Sequence, residues 1–214
     1  MRDVEASFGF VDLVGFTAAS WAHGDRTAAA LSIKLVELAR DVAATGDEVV
    51  KSIGDAVLVK SPTQRQLLGL VGRIWEEGDR EPLFPRLRAG VHHGVAVEHD
   101  GDYYGTTVNI ASRVADKAAT DEILATAPMV AAAEAAAWQV ESLGPVELRN
   151  VGEPIEVYRL RSTTSGLIHV DPVCFMRVEP QTAITSVDEA GTHYFCSRKC
   201  ADRFRPTDNQ VAGQ

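Results

Sequence analysis

Residues 48–59 read EVVKSIGDAVLV, in which two apolar, β-branched runs flank a Gly-Asp pair. This pattern predicts a β-hairpin, because glycine supplies the backbone angles that a two-residue connection needs. The turn would place the carboxylate of Asp55 at the hairpin tip, with Lys51 earlier in the first strand. A buried ammonium group is costly without a partner. Taken alone, the hairpin is better explained by a lysine that protects an edge strand and by an ordinary turn aspartate.

The composition is that of a soluble globular protein. The 214 residues are 45% hydrophobic and 24% charged, enough for one sizeable domain and a smaller one. The net charge of −9 argues against nucleic-acid binding but allows a local basic site for a small phosphorylated substrate. We see no membrane span and no signal-peptide region, so we expect a cytoplasmic protein with reduced thiols. All three cysteines follow residue 170, which indicates a second module.

Elsewhere the pattern predicts strands and helices in alternation, which favours a sheet covered by helices. Further strands are predicted at 7–14, 86–98, 123–125, 146–149 and 155–161, and helices at 25–45, 63–77, 107–118 and 127–137. Residues 15–17 are predicted as a turn and residues 99–105 as a polar loop. His92 and His93 are expected on opposite faces of their strand, where packing explains them better than pH sensing.

Several polar residues stand at the ends of these elements. Asp12 ends an apolar strand before a Gly-containing turn, whose backbone N–H groups suit an anion. Asp55 lies on a neighbouring tip, and two adjacent carboxylates suit a pair of divalent cations. Asn109 and Arg113 share one helix face, and Asp102 lies in the loop before that helix. Each residue taken singly also fits a structural or solvated role.

Three motifs occur in sequence: FVDLVGFT at residues 10–17, VKSIGDA at 50–56 and GDYYGTTVNIASRV at 101–114. Together they resemble the class III adenylate/guanylate cyclase catalytic domain, in its order and approximate spacing. The resemblance covers about residues 5–162, and we assign residues 1–162 to this domain. It implies an α+β fold, a ferredoxin-like βαββαβ sandwich related to polymerase palm domains.

The resemblance also implies roles for matching residues. Asp12 and Asp55 would hold two Mg²⁺ or Mn²⁺ ions. Lys51 and Asp102 would read the purine edge, and a lysine donor with an aspartate acceptor fits adenine, whereas guanylyl members typically carry Glu and Cys. The remaining implied roles are ribose orientation by Asn109, stabilisation of charge on the α-phosphoryl group by Arg113, and substrate binding by Phe16, Thr17 and Arg149.

The activity implied is conversion of ATP to 3′,5′-cyclic AMP and pyrophosphate. Family sites are shared across a dimer interface, and this chain carries one copy of each motif, so a homodimer with two equivalent sites is expected. We expect no sensory domain before the first strand and only a small dimerisation arm at residues 99–105. The alternatives are a guanylate cyclase and a catalytically silent nucleotide-binding regulator with a metal-sensing tail.

A second module is predicted at residues 167–214, after a linker by composition at 162–166. The motifs DPVCFM at 171–176 and HYFCSRKC at 193–200 resemble the YHS domain, a small metal-associated module. Cys174, Cys196 and Cys200 suit Zn²⁺ or another soft metal such as Cu⁺ or Ag⁺. The fourth ligand is open among His193, His169 and water, and a small apolar core that uses cysteine is the alternative. We expect metal or redox state in this tail to tune the cyclase.

Overall fold

The structure, a computed structural model of the chain, describes residues 1–161 and 169–205. The predicted linker at 162–166 therefore lies outside the described residues. Within residues 1–161 the strands are β1 (Arg2–Leu13), β2 (Glu48–Ile53), β3 (Ala56–Ser61), β4 (Leu87–His99), β5 (Asp102–Tyr104), β6 (Ile123–Thr126), β7 (Gln139–Val146) and β8 (Ile155–Arg161). The helices are α1 (Phe16–His23), α2 (Asp25–Asp41), α3 (Gln64–Arg80), α4 (Thr106–Lys117) and α5 (Ala127–Ala135).

The eight strands form one sheet in the order β2-β3-β1-β4-β6-β8-β7, with β5 paired to β4. The central strand β1 is antiparallel to both β3 and β4. The order β4-β1-β3-β2, with helices between β1 and β2 and between β3 and β4, is the ferredoxin-like split βαβ arrangement. The predicted fold class is therefore confirmed, and β6, β7 and β8 extend the core sheet on one side.

Alternation along β1 separates the two buried layers, because successive side chains of a strand point to opposite faces. Val11 and Leu13 pack in the larger layer, with residues of α2, α3 and α5. Phe8 and Phe10 pack in the smaller layer with α4. Asp12 continues the series of Phe8 and Phe10, so its side chain lies on the α4 side of the sheet.

Helix α4 lies unusually close to the sheet at Gly90 of β4. A Cβ atom added there would lie 2.1 Å from the backbone nitrogen of Ala115 and 2.5 Å from the carbonyl oxygen of Ala111. Only a residue without a side chain allows this approach. The contact sets the height of α4 above the sheet and therefore the position of the polar side chains that α4 carries.

Three predictions of local structure were wrong. Residues 16–23 form helix α1 instead of only a turn, and its buried alanines face the C-terminal tail, so no partner in the sheet was apparent from sequence. Strand β5 lies within the predicted polar loop. The strand predicted at 146–149 lies earlier in the chain, as β7, which ends at Val146. Gly144 and Pro145 of β7 argued against a strand in the sequence, but β7 is at the edge of the sheet, where both residues are tolerated.

The tail contains β9 (His169–Val170), β10 (Arg177–Val178), β11 (Ile184–Asp188), β12 (Gly191–Phe195) and α6 (Arg198–Arg203). It contacts the segment before β4, where the backbone N–H of Arg177 donates to the carbonyl oxygen of Phe84 at 3.2 Å and Met176 forms a bridge with Pro85. No helix among the described residues has both the length and the apolar character to cross a membrane.

The substitution Gly90→Ala should destabilise the protein, because the new methyl group would press on the backbone of α4 and not on a movable side chain. We expect the free energy of unfolding to fall by about 3 kcal/mol. Gly152→Ala is the matched control, since a Cβ atom there meets nothing within 4 Å. Urea denaturation of the three proteins measures the difference, and equal stability of both variants would contradict the close contact.

His92 should make stability depend on pH. It lies beside Thr126, with Nδ1 2.5 Å from Oγ1, while His93 bonds to Ser7, as expected for neighbours on opposite faces. Burial lowers the pKa of His92 from 6.5 to about 4. Between these values the unfolded chain binds a proton that the folded chain does not, so stability falls as the pH falls.

We expect His92 to reduce the free energy of unfolding by about 1 to 2 kcal/mol between about pH 7 and about pH 5. The variant His92→Gln keeps a polar side chain without this titration and should lose less stability over the same range. Urea denaturation at both pH values provides the measurement. An identical loss in both proteins would show that His92 is not the group responsible.

Candidate active site

The two predicted metal-binding aspartates lie side by side. The hairpin β2–β3 turns through Gly54 and Asp55, with Gly54 at a φ of 65°, and Ser32 of α2 donates a 2.7 Å hydrogen bond to the carbonyl oxygen of Gly54. The carbonyl oxygen of Asp55 accepts a 3.4 Å hydrogen bond from the backbone N–H of Leu13, next to Asp12. The strand end and the hairpin tip are thus tied together by backbone.

The electrostatics of Asp12 show two carboxylates held near each other. Burial raises the pKa of Asp12, the charge of Asp55 raises it further, and Arg88 opposes both effects. The Nε and Nη2 atoms of Arg88 lie 2.7 and 2.5 Å from Oδ2 of Asp12. A half-buried pair of like charges is a site where a cation is stabilised, and the donors are all oxygen, as Mg²⁺ and Mn²⁺ prefer.

Lys51 and Asp102 meet in an ion pair, with Nζ 2.5 Å from Oδ2. A hydrogen bond from Lys51 lowers the pKa of Asp102, and the backbone N–H of Tyr103 donates to the other carboxylate oxygen at 2.8 Å. The two-residue turn at Gly54 and Asp55 sets Lys51 opposite Leu58, on the α4 side of the sheet. Both side chains of the pair remain partly exposed and able to meet a ligand.

One cleft of about 580 Å³ brings most of these groups together. Asp12, Asp55, Lys51 and Asn109 all line it. Asn109 is exposed on the first turns of α4. Arg113 lies one turn further along α4, outside this lining, and its Nη1 is 3.1 Å from Oδ2 of Asp116.

The other predicted substrate-binding residues lie away from this cleft within one chain. Phe16 and Thr17 begin α1, and Phe16 packs partly against the larger core layer while Thr17 is exposed. Arg149 lies in an exposed turn after β7, next to the buried Leu148. None of the three lines the cleft.

Sequence reasoning missed several residues of the cleft wall, among them Arg88 and Tyr104. Arg88 is the direct cross-strand partner of Asp12, which could be found only from the register between β1 and β4. The ring of Tyr104 lies 5.7 Å from Nζ of Lys51, and Tyr104 belongs to the strand β5 that was predicted as a loop.

A larger cleft of about 940 Å³ lies elsewhere, and none of the predicted site residues lines it. Its walls carry several arginines, five of which are paired: Arg73 with Asp47, Arg86 with Asp121, Arg159 with Glu122, Arg161 with Glu141 and Arg177 with Asp79. Because these charges are largely compensated, we assign the chemistry to the smaller cleft.

The tail brings Cys174, Cys196 and Cys200 together, as the sequence suggested. The Sγ atom of Cys196 lies 3.5 Å from that of Cys174 and 3.7 Å from that of Cys200. The nearby imidazole is neither of the predicted histidines: it is His23, at the end of α1. His193 instead pairs with Asp188, and His169 packs on Tyr194.

The fold and the cleft define a ferredoxin-like α+β domain with an acidic pair and a Lys–Asp pair on one face of the sheet. A family model described as adenylate and guanylate cyclase catalytic domain matches residues 2–162. The chain belongs to this family.

Relatives agree with this assignment. The pH-sensitive adenylate cyclase MT1302 of Mycobacterium tuberculosis is 36% identical over 161 residues, which cover 73% of this chain and 41% of that protein. The chain thus spans less than half the length of this curated relative. Among solved structures, the guanylate cyclase domain of RhGC from Catenaria anguillulae, in complex with GTP, aligns with a TM-score of 0.67 at 18% identity, covering 77% of this chain and 100% of that one.

The adenylyl cyclase CyaB from P. aeruginosa aligns with a TM-score of 0.64 at 18% identity, covering 78% of this chain and 98% of that one. Both structures support the fold. The family match ends at residue 162, so the resemblance of the tail to YHS domains and the boundary between the two predicted domains stay predictions.

Proposed function

We propose that this protein is an adenylate cyclase that converts ATP to 3′,5′-cyclic AMP and pyrophosphate. The observation that carries the proposal is the Lys51–Asp102 ion pair, which borders the cleft that holds Asp12 and Asp55. The name of the mycobacterial relative agrees with this choice of nucleotide.

Base recognition follows from the donors and acceptors that the pair offers. Lys51 donates and Asp102 accepts, which complements the ring nitrogen and exocyclic amine of adenine. Guanine presents a carbonyl oxygen and an N–H group at the same edge, so it would meet two mismatched partners. Mismatched buried polar groups discriminate strongly between ligands.

Asp12 and Asp55 are the residues that would hold two Mg²⁺ or Mn²⁺ ions. The ions, when bound, would favour ionisation of the ribose 3′-hydroxyl and neutralise phosphate charge. Arg88 holds the carboxylate of Asp12 in place from the neighbouring strand. In the reaction the 3′-oxygen bonds to the α-phosphorus, the bond to the β-phosphate oxygen breaks, and the hydroxyl proton is released.

Residues of α4 would act on the sugar and on the transition state. Asn109, exposed at the cleft, would orient the ribose so that its 3′-oxygen lies in line with the leaving group. Arg113 would stabilise the charge that develops on the α-phosphoryl group. Phe16, Thr17 and Arg149 would contact the triphosphate when two chains meet.

The proposed active form is a homodimer with sites shared between chains. Arg113, Arg149 and Thr17 do not line the cleft of their own chain, so a single chain leaves the constellation incomplete. Ile53 and Tyr104 line this cleft and are 49% and 51% exposed, although both are large and apolar or aromatic. A partner chain would cover such groups.

Nucleotide preference tests the function. Purified protein with Mn²⁺ should form cyclic AMP from ATP and far less cyclic GMP from GTP, measured side by side by chromatography. The double variant Lys51→Glu, Asp102→Cys should lower kcat/KM for ATP by about 100-fold, because both hydrogen bonds to adenine are lost. Equal use of both nucleotides by the wild type would contradict base recognition by this pair, a preference for GTP would favour a guanylate cyclase, and no product from either would favour a silent regulator.

Mixing two inactive variants tests the shared site. Asp55→Ala and Arg113→Ala should each be inactive yet remain dimeric by size-exclusion chromatography. After co-refolding, about half of the dimers are mixed and each has one intact site, so about a quarter of wild-type activity should return. If each site used residues of one chain only, the mixture would stay inactive.

A further inference from the structure

Four potential metal ligands from two distant parts of the chain converge outside the nucleotide cleft. His23 ends helix α1 of the catalytic domain, while Cys174, Cys196 and Cys200 belong to the tail. One ligand atom from each lies within 4.8 Å of all the others. The two parts are therefore joined at a single cluster.

Four of the six separations between the ligand atoms are close to those of a tetrahedral zinc site, and the other two are at most 4.8 Å. Zinc bonds of about 2.3 Å to sulfur and about 2.0 Å to nitrogen place two sulfurs about 3.8 Å apart and a sulfur and a nitrogen about 3.5 Å apart. The observed Sγ–Sγ distances from Cys196 are 3.5 and 3.7 Å. Nε2 of His23 lies 3.4 Å from Sγ of Cys196 and 3.5 Å from Sγ of Cys200.

The backbone around the cysteines is fixed by a buried carboxylate. Oδ1 of Asp171 accepts hydrogen bonds from the backbone N–H groups of Val173 and Cys174, and Oδ2 accepts one from Cys196. Ser197 caps α6 through the N–H of Cys200. These bonds hold the cysteine-bearing segments in place without using a thiol, so the sulfur atoms are left to face His23.

From this geometry we propose that His23, Cys174, Cys196 and Cys200 form a Cys₃His site for Zn²⁺ that fastens the tail to helix α1. Three thiolates and an imidazole complete a tetrahedron with no open position, which is the arrangement of a structural site. A disulfide would use two of the sulfurs and give His23 no role. The ion would instead connect all four ligands.

Helix α1 connects the proposed metal site to residues 16 and 17, which are proposed to contact the triphosphate. The last residue of α1 is the proposed ligand His23. The ring of Phe175, which follows Cys174 in the chain, lies against Gly15, just before the first residue of α1. A Cβ atom at residue 15 would lie 2.7 Å from this ring. Zinc and Phe175 therefore hold opposite ends of α1. An effect on catalysis rests on the proposed function, because it requires residues 16 and 17 to contact ATP.

Metal content tests the site directly. The 214-residue chain, loaded with Zn²⁺ under reducing conditions and desalted, should retain about one zinc ion per chain by mass spectrometry. Cys196→Ser and Cys200→Ser should retain almost none. His23→Ala should bind zinc at least about tenfold more weakly in competition with a chromophoric chelator. His23→Cys, which restores a ligand, should recover binding.

Two controls separate His23 from the histidines of the tail. His169→Ala and His193→Ala should bind zinc as tightly as the wild type, with folding of every variant checked by circular dichroism. Failure of the wild type to retain zinc would overturn the proposal. So would a His23→Ala variant with unchanged affinity, or loss of binding in His169→Ala or His193→Ala but not in His23→Ala.

Hydrogen exchange gives a readout independent of nucleotide turnover. Removing zinc with a chelator should speed amide exchange in residues 16–24 of the wild type, while the zinc-free His23→Ala protein should show no further change. Unchanged exchange in the wild type would contradict a role of the metal in holding α1. If zinc binds and orders α1 but no cyclic nucleotide forms, the proposed cyclase function fails and the metal site stands.

Discussion

Two carboxylates side by side in a half-buried position repel each other, and the architecture around Asp12 and Asp55 holds them together in spite of this. The raised pKa of Asp12 reflects both burial and that repulsion. Backbone hydrogen bonds tie the end of β1 to the hairpin tip, and Arg88 neutralises part of the charge from the adjacent strand. The geometry that concentrates negative charge is therefore imposed by the sheet, which makes the position suitable for cations.

The strongest sequence signals were local, and the structure agrees with them. Patterns only a few residues long were enough to predict the Gly54–Asp55 turn, the buried strand before Asp12 and the helix face shared by Asn109 and Arg113. The side of the sheet to which Lys51 belongs also follows from the turn, because a two-residue connection at Gly54 and Asp55 sets Lys51 opposite Leu58. The bulge between Val49 and Lys51 was not predictable, and it shifts the pairing of Glu48 and Val49 further from the tip.

Other features depend on contacts between segments far apart in the chain. Helix α1 was missed because its buried side faces the tail and not the sheet. His23 was missed for the same reason, since it lies 173 residues from Cys196 and carries no local sign of a ligand. The pairing of Arg88 with Asp12 could be found only from the register between β1 and β4. Sequence patterns thus indicated most helices and strands, whereas the side chains that meet at each site depend on how those elements pack in three dimensions.

The distance of 177 residues between His23 and Cys200 has a consequence for folding. An ion held at both positions closes a ring that contains almost the whole catalytic sheet, and closing so long a loop in an unfolded chain is entropically unfavourable. The folded sheet removes most of that cost by bringing the two ends together beforehand. By thermodynamic linkage, a cation that binds only the assembled form must in turn stabilise the sheet, so the thermal midpoint of the cyclase-family domain would rise with free metal concentration.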